Sequence, residues 1–148
     1  IGFSLYEISE LENLLSNNIV PDIVQVPYNY FDRRFEKVIK ELHSNGCEVH
    51  SRSTFLQGLF FKKPETLSNH FNEIKPVIKN IQNTTVNLSG SLLKFVLDSN
   101  FIDKVIIGVE SKQQFKENIE SLSESKKLPK KNFDISDAVL NPSKWPKN

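Results

Sequence analysis

The stretch VHSRSTFLQGLFF, residues 49–61, begins as a core strand and then stops behaving like one. Val49 opens it and Leu59, Phe60 and Phe61 close it. Between them lie His50, Ser51, Arg52, Ser53, Thr54, Gln57 and Gly58. A polar group removed from water without a partner costs roughly 2–7 kcal/mol. A chain that runs such groups off the end of an apolar strand therefore points them at a mouth. In parallel α/β architectures that mouth is where ligands bind, at the carboxyl ends of the strands. On this reading residues 47–49 (CEV) are the buried strand body. Residues 50–58 (HSRSTFLQG) are the strand end and its loop.

The segments on either side supply the sheet to which this strand belongs. IGFS (1–4) reads as a strand running into a turn, and EISELENLL (7–15) repeats apolar residues at helical spacing. Pro21 and Asp22 punctuate the chain before Ile23, Val24 and Val26, a β-branched run expected of a parallel strand buried on both faces. Phe35, Val38, Ile39 and Leu42 share one helical face, and Asn45-Gly46 stops that helix. Downstream, Ser68 is the expected cap of a helix over 69–81, with Pro76 kinking or ending its first turns. LSGSLLKFVLDSN (88–100) is an amphipathic helix, and IDKVIIGVE (102–110) is a strand through Val105, Ile106 and Ile107, closed by Gly108. Ser111 and Gln114 have capping-box spacing for a last helix. The order β-α-β-α-β-loop-α-α-β-α implies a parallel sheet with right-handed crossovers. Four such units make either a small open sheet or half of an eight-stranded barrel.

Composition narrows the function classes. Nineteen basic and 18 acidic residues give a net charge of +1, which argues against a dedicated nucleic-acid surface. One cysteine among 148 residues excludes an internal disulfide and a cysteine-based zinc site. Cys47 reads as a small core residue. No apolar run reaches membrane-spanning length and no signal peptide is visible, so the expected setting is cytoplasmic and free of membrane. The chain has no methionine and opens inside a strand, so the expectation is a piece of something longer. The expected organisation is a body over 1–125 and a C-terminal extension over 126–148. The extension is rich in Lys, Pro and Asn, and Phe133, Val139, Leu140 and Trp145 are available to pin it.

The strand-end rule marks Ser4 and Leu5 after the first strand, Gln25, Tyr28 and Asn29 around the second, and Gly108 to Ser111 after the fourth. Gln25 interrupts an apolar run, and its buried amide needs partners from neighbouring side chains or a ligand. The junction IIGVESKQQ (106–114) aims free backbone N–H groups and a positive helix end at one point, which suits a phosphate.

Four blocks, IGFSLYEISELENLL, DIVQVPYNYFDRR, VHSRSTFLQGLFF and DKVIIGVESKQQFKENI, follow one another as they do in the aldo-keto reductases. The resemblance covers about residues 1–120 and matches the C-terminal half of that family's TIM barrel, strands five to eight. It implies NADP or NAD as cofactor, a small carbonyl substrate, and reduction of carbonyls to alcohols. By the same resemblance Ser4 and Gln25 hold the nicotinamide carboxamide, with Leu5 in place of the usual Asn. Arg52 stands where many members stack a tyrosine on the nicotinamide. Ser53, Phe55, Gln57 and Gly58 follow the pyrophosphate and ribose. Gly108, Val109, Glu110 and Ser111 form the phosphate loop, and Glu117 and Asn118 meet the adenine. Gln114 occupies the position of an Arg that often grips the 2′-phosphate, with Lys112 as the nearby alternative cation.

The family's catalytic Asp, Tyr, Lys and His belong to strands two to four, so no catalytic residue is assigned within this chain. Its expected partners are the missing N-terminal half or a second copy across the open sheet edges. Two other readings remain open: a non-catalytic half-barrel module that self-associates, and an independent small α/β enzyme using Arg52 or His50.

Overall fold

A computed structural model describes residues 1–146; the last two residues of the expected extension lie outside the described residues. Two compact units emerge, one of residues 1–54 and 96–108, the other of 55–95 and 109–148.

The first unit holds the sheet. Strands β1 (Gly2–Ser4), β2 (Ile23–Pro27), β3 (Glu48–Arg52) and β4 (Lys104–Val105) are all parallel and lie in sequence order. Helices α1 (Ile8–Ser16) and α2 (Glu36–Ser44) make the crossovers between β1 and β2 and between β2 and β3. Val24, Val26, Val49 and Ser51 alternate onto one fully buried face. Leu11 of α1, Phe35, and Ile39 and Leu42 of α2 are also buried in this unit. Full burial of each such apolar side chain is worth about 1.5–3 kcal/mol.

The opposite face departs from the expected two-sided burial of β2. Ile23 is exposed and Gln25 half-buried, and Glu48, His50 and Arg52 are half-buried along β3. Register places Ser4 opposite Gln25, Gln25 opposite His50, and His50 opposite Lys104. This row is polar and only partly buried.

β3 carries His50, Ser51 and Arg52 as its strand end, and the loop begins at Ser53. β4 is shorter, with Ile106 adding one ladder bond to Ser51 O at 2.8 Å. It is an edge strand with a neighbour on one side only, so little holds Ile107 and Gly108 in register. Helix α2 ends as expected: Gly46 takes φ +91°, Gly46 N bonds His43 O, and Cys47 N bonds Leu42 O, each at 3.0 Å. Cys47 is buried, and burial pushes its thiol up from the ordinary value.

The second unit contains short 3₁₀ turns at Leu56–Phe61, Pro64–Thr66 and Asn69–Phe71, helix α3 (Lys75–Thr84), most of α4 (Leu88–Leu97), α5 (Lys112–Ser123), α6 (Asp137–Leu140) and a 3₁₀ turn at Pro142–Lys144. Pro76 does not kink a longer helix. It sits in the first turn of α3, where its missing N–H costs nothing, and Ser68 precedes a 3₁₀ turn without bonding through its side chain. Gly90 is the close-approach point between α4 and α5: a Cβ there would lie 2.2 Å from Ser121 O.

The C-terminal segment is held on this unit. Trp145 Nε1 donates to Val139 O at 2.8 Å, and its ring meets Phe71 edge-on at 5.0 Å. Ser136 Oγ donates to Glu73 Oε1 at 2.6 Å, and Val139 and Leu140 are buried.

Candidate functional site

The candidate residues fall in both units and are described unit by unit. In the first, β1 and β2 end side by side, so Ser4 and Gln25 are neighbours. Ser4 Oγ donates to Gln25 Oε1 at a long 3.4 Å, and Leu5 N bonds Gln25 O at 2.9 Å. The Gln25 amide nitrogen has no hydrogen-bond partner among the described residues.

Arg52, at the last position of β3, reaches over the end of β2 to the end of β1. Its Nη2 donates to Leu5 O at 3.0 Å and its Nη1 to Ser53 Oγ at 3.2 Å. The guanidinium carbon lies 4.0 Å from the centre of the Tyr6 ring, a cation–π stack. Tyr6 is itself placed by α1, because Glu10 Oε2 accepts from Tyr6 N at 2.8 Å and Glu7 N at 2.9 Å. No carboxylate pairs with Arg52 among the described residues. Near this strand end Ser51 Oγ, on the buried face, Arg52 Nε, on the opposite face, and Thr54 Oγ1 are buried without hydrogen-bond partners among the described residues.

Ser53 follows in the left-handed region, φ +62°. Asn29 holds it there: Asn29 Nδ2 donates to Ser53 O at 3.0 Å, while Oδ1 accepts from Phe31 N and Asp32 N, both at 2.9 Å. Asp32 in turn receives Arg34 Nε at 2.9 Å and Nη2 at 3.0 Å. Asn29 and Asp32 are fully buried. Tyr28 is also buried, edge-on to Phe101 at 5.5 Å, with its hydroxyl 3.4 Å from Glu36 Oε2. Burial pushes its phenol up to about 12. Tyr28 and Asn29, marked in the sequence as mouth residues, are thus scaffold rather than ligand-facing groups.

His50 lies one row below Arg52. Its Nε2 is 2.7 Å from Glu48 Oε1, which also accepts from Lys104 Nζ at 2.6 Å. The imidazole and then the ammonium hold the Glu48 carboxyl down to about 2.

In the second unit, Phe55, Gln57 and Gly58 form a strained turn. Leu56, Gln57 and Gly58 have φ of +45°, +54° and +76°, three left-handed residues in succession. Burial of Leu56, Leu59 and Phe60 over-determines this conformation, and Gln82 Nε2 of α3 holds Phe60 O at 2.8 Å and Lys62 O at 2.9 Å. Gly58 is needed for its φ, since a Cβ there would meet nothing within 4 Å. Phe55 packs its ring 5.6 Å from that of Phe61.

The loop from Gly108 crosses from the first unit into the second at Val109. Ser111 caps α5, its Oγ accepting from Gln114 N at 3.0 Å. Gln114 Oε1 accepts from Glu110 N at 2.7 Å, one residue short of a reciprocal capping box. That bond occupies the Gln114 carboxamide oxygen and one of the loop's N–H groups. The N–H groups of Lys112 and Gln113 have no partner among the described residues. Glu117 accepts from Gln113 Nε2 at 2.8 Å, and Asn118 is buried with its carbonyl on Ser121 Oγ at 2.9 Å. No hydrogen bond, ion pair or ring contact joins the 55–58 turn to the 109–118 segment among the described residues.

Each unit leaves hydrogen-bond donors without partners among the described residues: the Gln25 amide beside Ser4 in the first, and the Lys112 and Gln113 N–H groups at the start of α5 in the second. Sequence reasoning did not reach the Tyr6 stack or the Asn29–Asp32–Arg34 network. Only the position of Tyr6 two residues past a strand end marked it.

A sequence model described as the aldo/keto reductase family matches residues 1–141. No curated protein sequence matches the chain. Among solved structures, the holo form of aldo-keto reductase AKR11C1 from Bacillus halodurans aligns with TM-score 0.62 and 22% identity, over 86% of this chain and 45% of that one. The apo form of the same protein aligns with TM-score 0.59 and 21% identity, over 84% and 45%. The chain thus spans under half the length of these structures. No helix among the described residues is long and apolar enough to cross a membrane. With this match over most of its length, and with four parallel strands and helices in the arrangement of the C-terminal half of a (β/α)8 barrel, the chain belongs to the aldo/keto reductase family.

Proposed function

We propose that this chain supplies the cofactor-binding strand ends of an NAD(P)-dependent oxidoreductase that reduces a carbonyl to an alcohol. The observation that carries this is the pairing of Ser4 with an otherwise unpartnered Gln25 amide, beside Arg52, at the carboxyl ends of three parallel strands. Ser4 and Gln25 hold the carboxamide of the nicotinamide. Ser53, Phe55, Gln57 and Gly58 follow the ribose and pyrophosphate. Gly108, Val109 and Ser111, with the N–H groups of Lys112 and Gln113, take phosphate, and Glu117 and Asn118 lie toward the adenine. Gln114 is bound to its own loop and offers no charge to a 2′-phosphate, so NADP and NAD both remain substrates of the reading. The cofactor supplies the hydride. The residues of this chain bind and orient it, and the acid–base residues lie outside the chain.

The test is a fluorescence titration of NADH and NADPH on the intact protein. Gln25→Ala removes the amide that bonds the carboxamide, and net hydrogen bonds of about 1 kcal/mol each make the expected loss roughly 5–30-fold. Unchanged affinity overturns the assignment of Gln25, and absence of binding to the intact protein overturns the oxidoreductase reading. The chain by itself is expected to bind weakly or not at all.

A second reading has its own observation. Among the described residues β1 and β4 are each unpaired on one side, and Ile1 and Ile106, next to these strands, are exposed. Such edges invite pairing, which favours a non-catalytic module that self-associates. A monodisperse monomer in light scattering rules this out.

A further inference from the structure

We propose that Arg52 makes this site discriminate between the two oxidation states of the nicotinamide, favouring the reduced form. The inference rests on the cofactor reading above and concerns a residue that reading leaves without a task. A guanidinium keeps its positive charge throughout the physiological range. That of Arg52 is immobilised by Leu5 O, Ser53 Oγ and the Tyr6 ring, all neutral groups, and no carboxylate offsets it among the described residues. Other charges on the same sheet face do not compensate: Glu48 is already shared between His50 and Lys104. A permanent charge is thus fixed at the strand ends without a counter-charge, at the cost of a buried Nε with no partner.

The anchor identifies what this charge faces. Leu5, whose carbonyl holds Arg52, follows Ser4 directly, and its own N–H is bonded to Gln25 O at 2.9 Å. The guanidinium is therefore tied to the same strand end that offers the Ser4 hydroxyl and the Gln25 amide. A ring bonded there through its carboxamide shares that end with the charge. The oxidised nicotinamide ring is a cation and the reduced ring is neutral. A like charge at short range, in a site partly shielded from water, disfavours the charged form.

A merely structural latch would behave differently. If Arg52 only ties β1 to β3, its loss loosens the site for both forms alike. The discriminating quantity is the ratio of dissociation constants, oxidised over reduced. It is measured by calorimetry on the intact protein for the pairs NADP+/NADPH and NAD+/NADH, at one ionic strength. Wild type is expected to hold the reduced form at least about tenfold more tightly. Arg52→Gln should lower the ratio roughly tenfold, while Arg52→Lys, which keeps the charge and loses the fork, should leave it within about threefold of wild type. Circular dichroism establishes that each variant is folded. Parity of the two forms in wild type overturns the proposal without need of any variant. So does an Arg52→Gln protein in which both affinities fall together at constant ratio; in either case the cofactor reading survives. Failure of wild type to bind any of the four dinucleotides overturns the cofactor reading itself, and this inference with it.

Discussion

Gly90→Ala is the substitution for which two sizeable effects oppose each other and the structure decides between them. Gly90 lies inside α4, where exchange of Gly for Ala normally gains about 0.8–1 kcal/mol from backbone entropy. Here the new methyl would stand 2.2 Å from Ser121 O, 2.5 Å from Ser121 C and 2.9 Å from Ser121 Oγ. The shortest of these falls 0.8 Å inside the 3.0 Å limit that Cβ contacts respect (3.0 − 2.2 = 0.8). The obstructing atom is a backbone carbonyl of α5, so no rotamer change relieves it. One helix must move off the other, and overpacking of this kind costs about 1–3 kcal/mol or more. With the clash at the severe end, we expect a net loss of about 1–2 kcal/mol. For a chain of this size that corresponds to a Tm lower by roughly 2–8 °C. The Ser89–Ser121 hydroxyl contact of 3.1 Å and the Asn87–Glu124 bond of 3.3 Å should loosen with it. Urea and thermal unfolding of wild type, Gly90→Ala, Ser121→Ala and the double variant provide the assay. Ser121→Ala removes only the hydroxyl contact, so the double variant should recover little. A Gly90→Ala protein as stable as wild type, or more so, refutes the argument, as does full rescue by Ser121→Ala.

Two further outcomes follow from the first unit. Asn29→Ala strips partners from Phe31 N, Asp32 N and Ser53 O at a fully buried position, and should cost about 2–4 kcal/mol in urea unfolding; a loss below about 0.5 kcal/mol would show that the network is dispensable. Tyr28 has its phenol raised from 10.0 to about 12 by burial. The folded state then holds this proton more tightly than the unfolded chain, so the contribution is complete below pH 10 and is lost as pH rises toward 12. About 2 kcal/mol is at stake, and the alkaline slope between pH 10 and 12 should shrink in Tyr28→Phe; an identical slope in the two proteins contradicts it.

The β-α rhythm was legible because it rests on local periodicity and punctuation. Val24 and Val26, the Phe35–Leu42 face and the Asn45-Gly46 stop each carry their own physical cause within a few residues. Pro76 was misjudged for the opposite reason. A proline breaks a helix or begins one according to where the first turn starts, and the 3₁₀ turns before it depend on what Phe71 packs against. β2 misled because a β-branched run is the same string whether one face of its strand is covered or both.

At the candidate site, the types and order of Ser4, Gln25, Arg52, Ser53 and Ser111 could be read directly. Their states could not. Gln114 has the spacing of a capping residue, yet whether its carboxamide bonds its own loop or a ligand is decided by the backbone path at Glu110. Tyr28 and Asn29 follow a strand like mouth residues, and only the turn at 29–32 folds them inward.

By itself, then, the chain's residue order determined that it forms parallel β-α units, where its strands end in polar groups, and which family it resembles, since all three lie in local pattern. Only the tertiary structure decided what Arg52 does. Its partners are Leu5 and Tyr6, more than forty positions away in the chain, brought within reach because β1 and β3, flanking β2 in a parallel sheet, finish at the same end. A cation–π stack, a bonded carbonyl and an uncompensated charge arise from that convergence, and no spacing along the sequence encodes it.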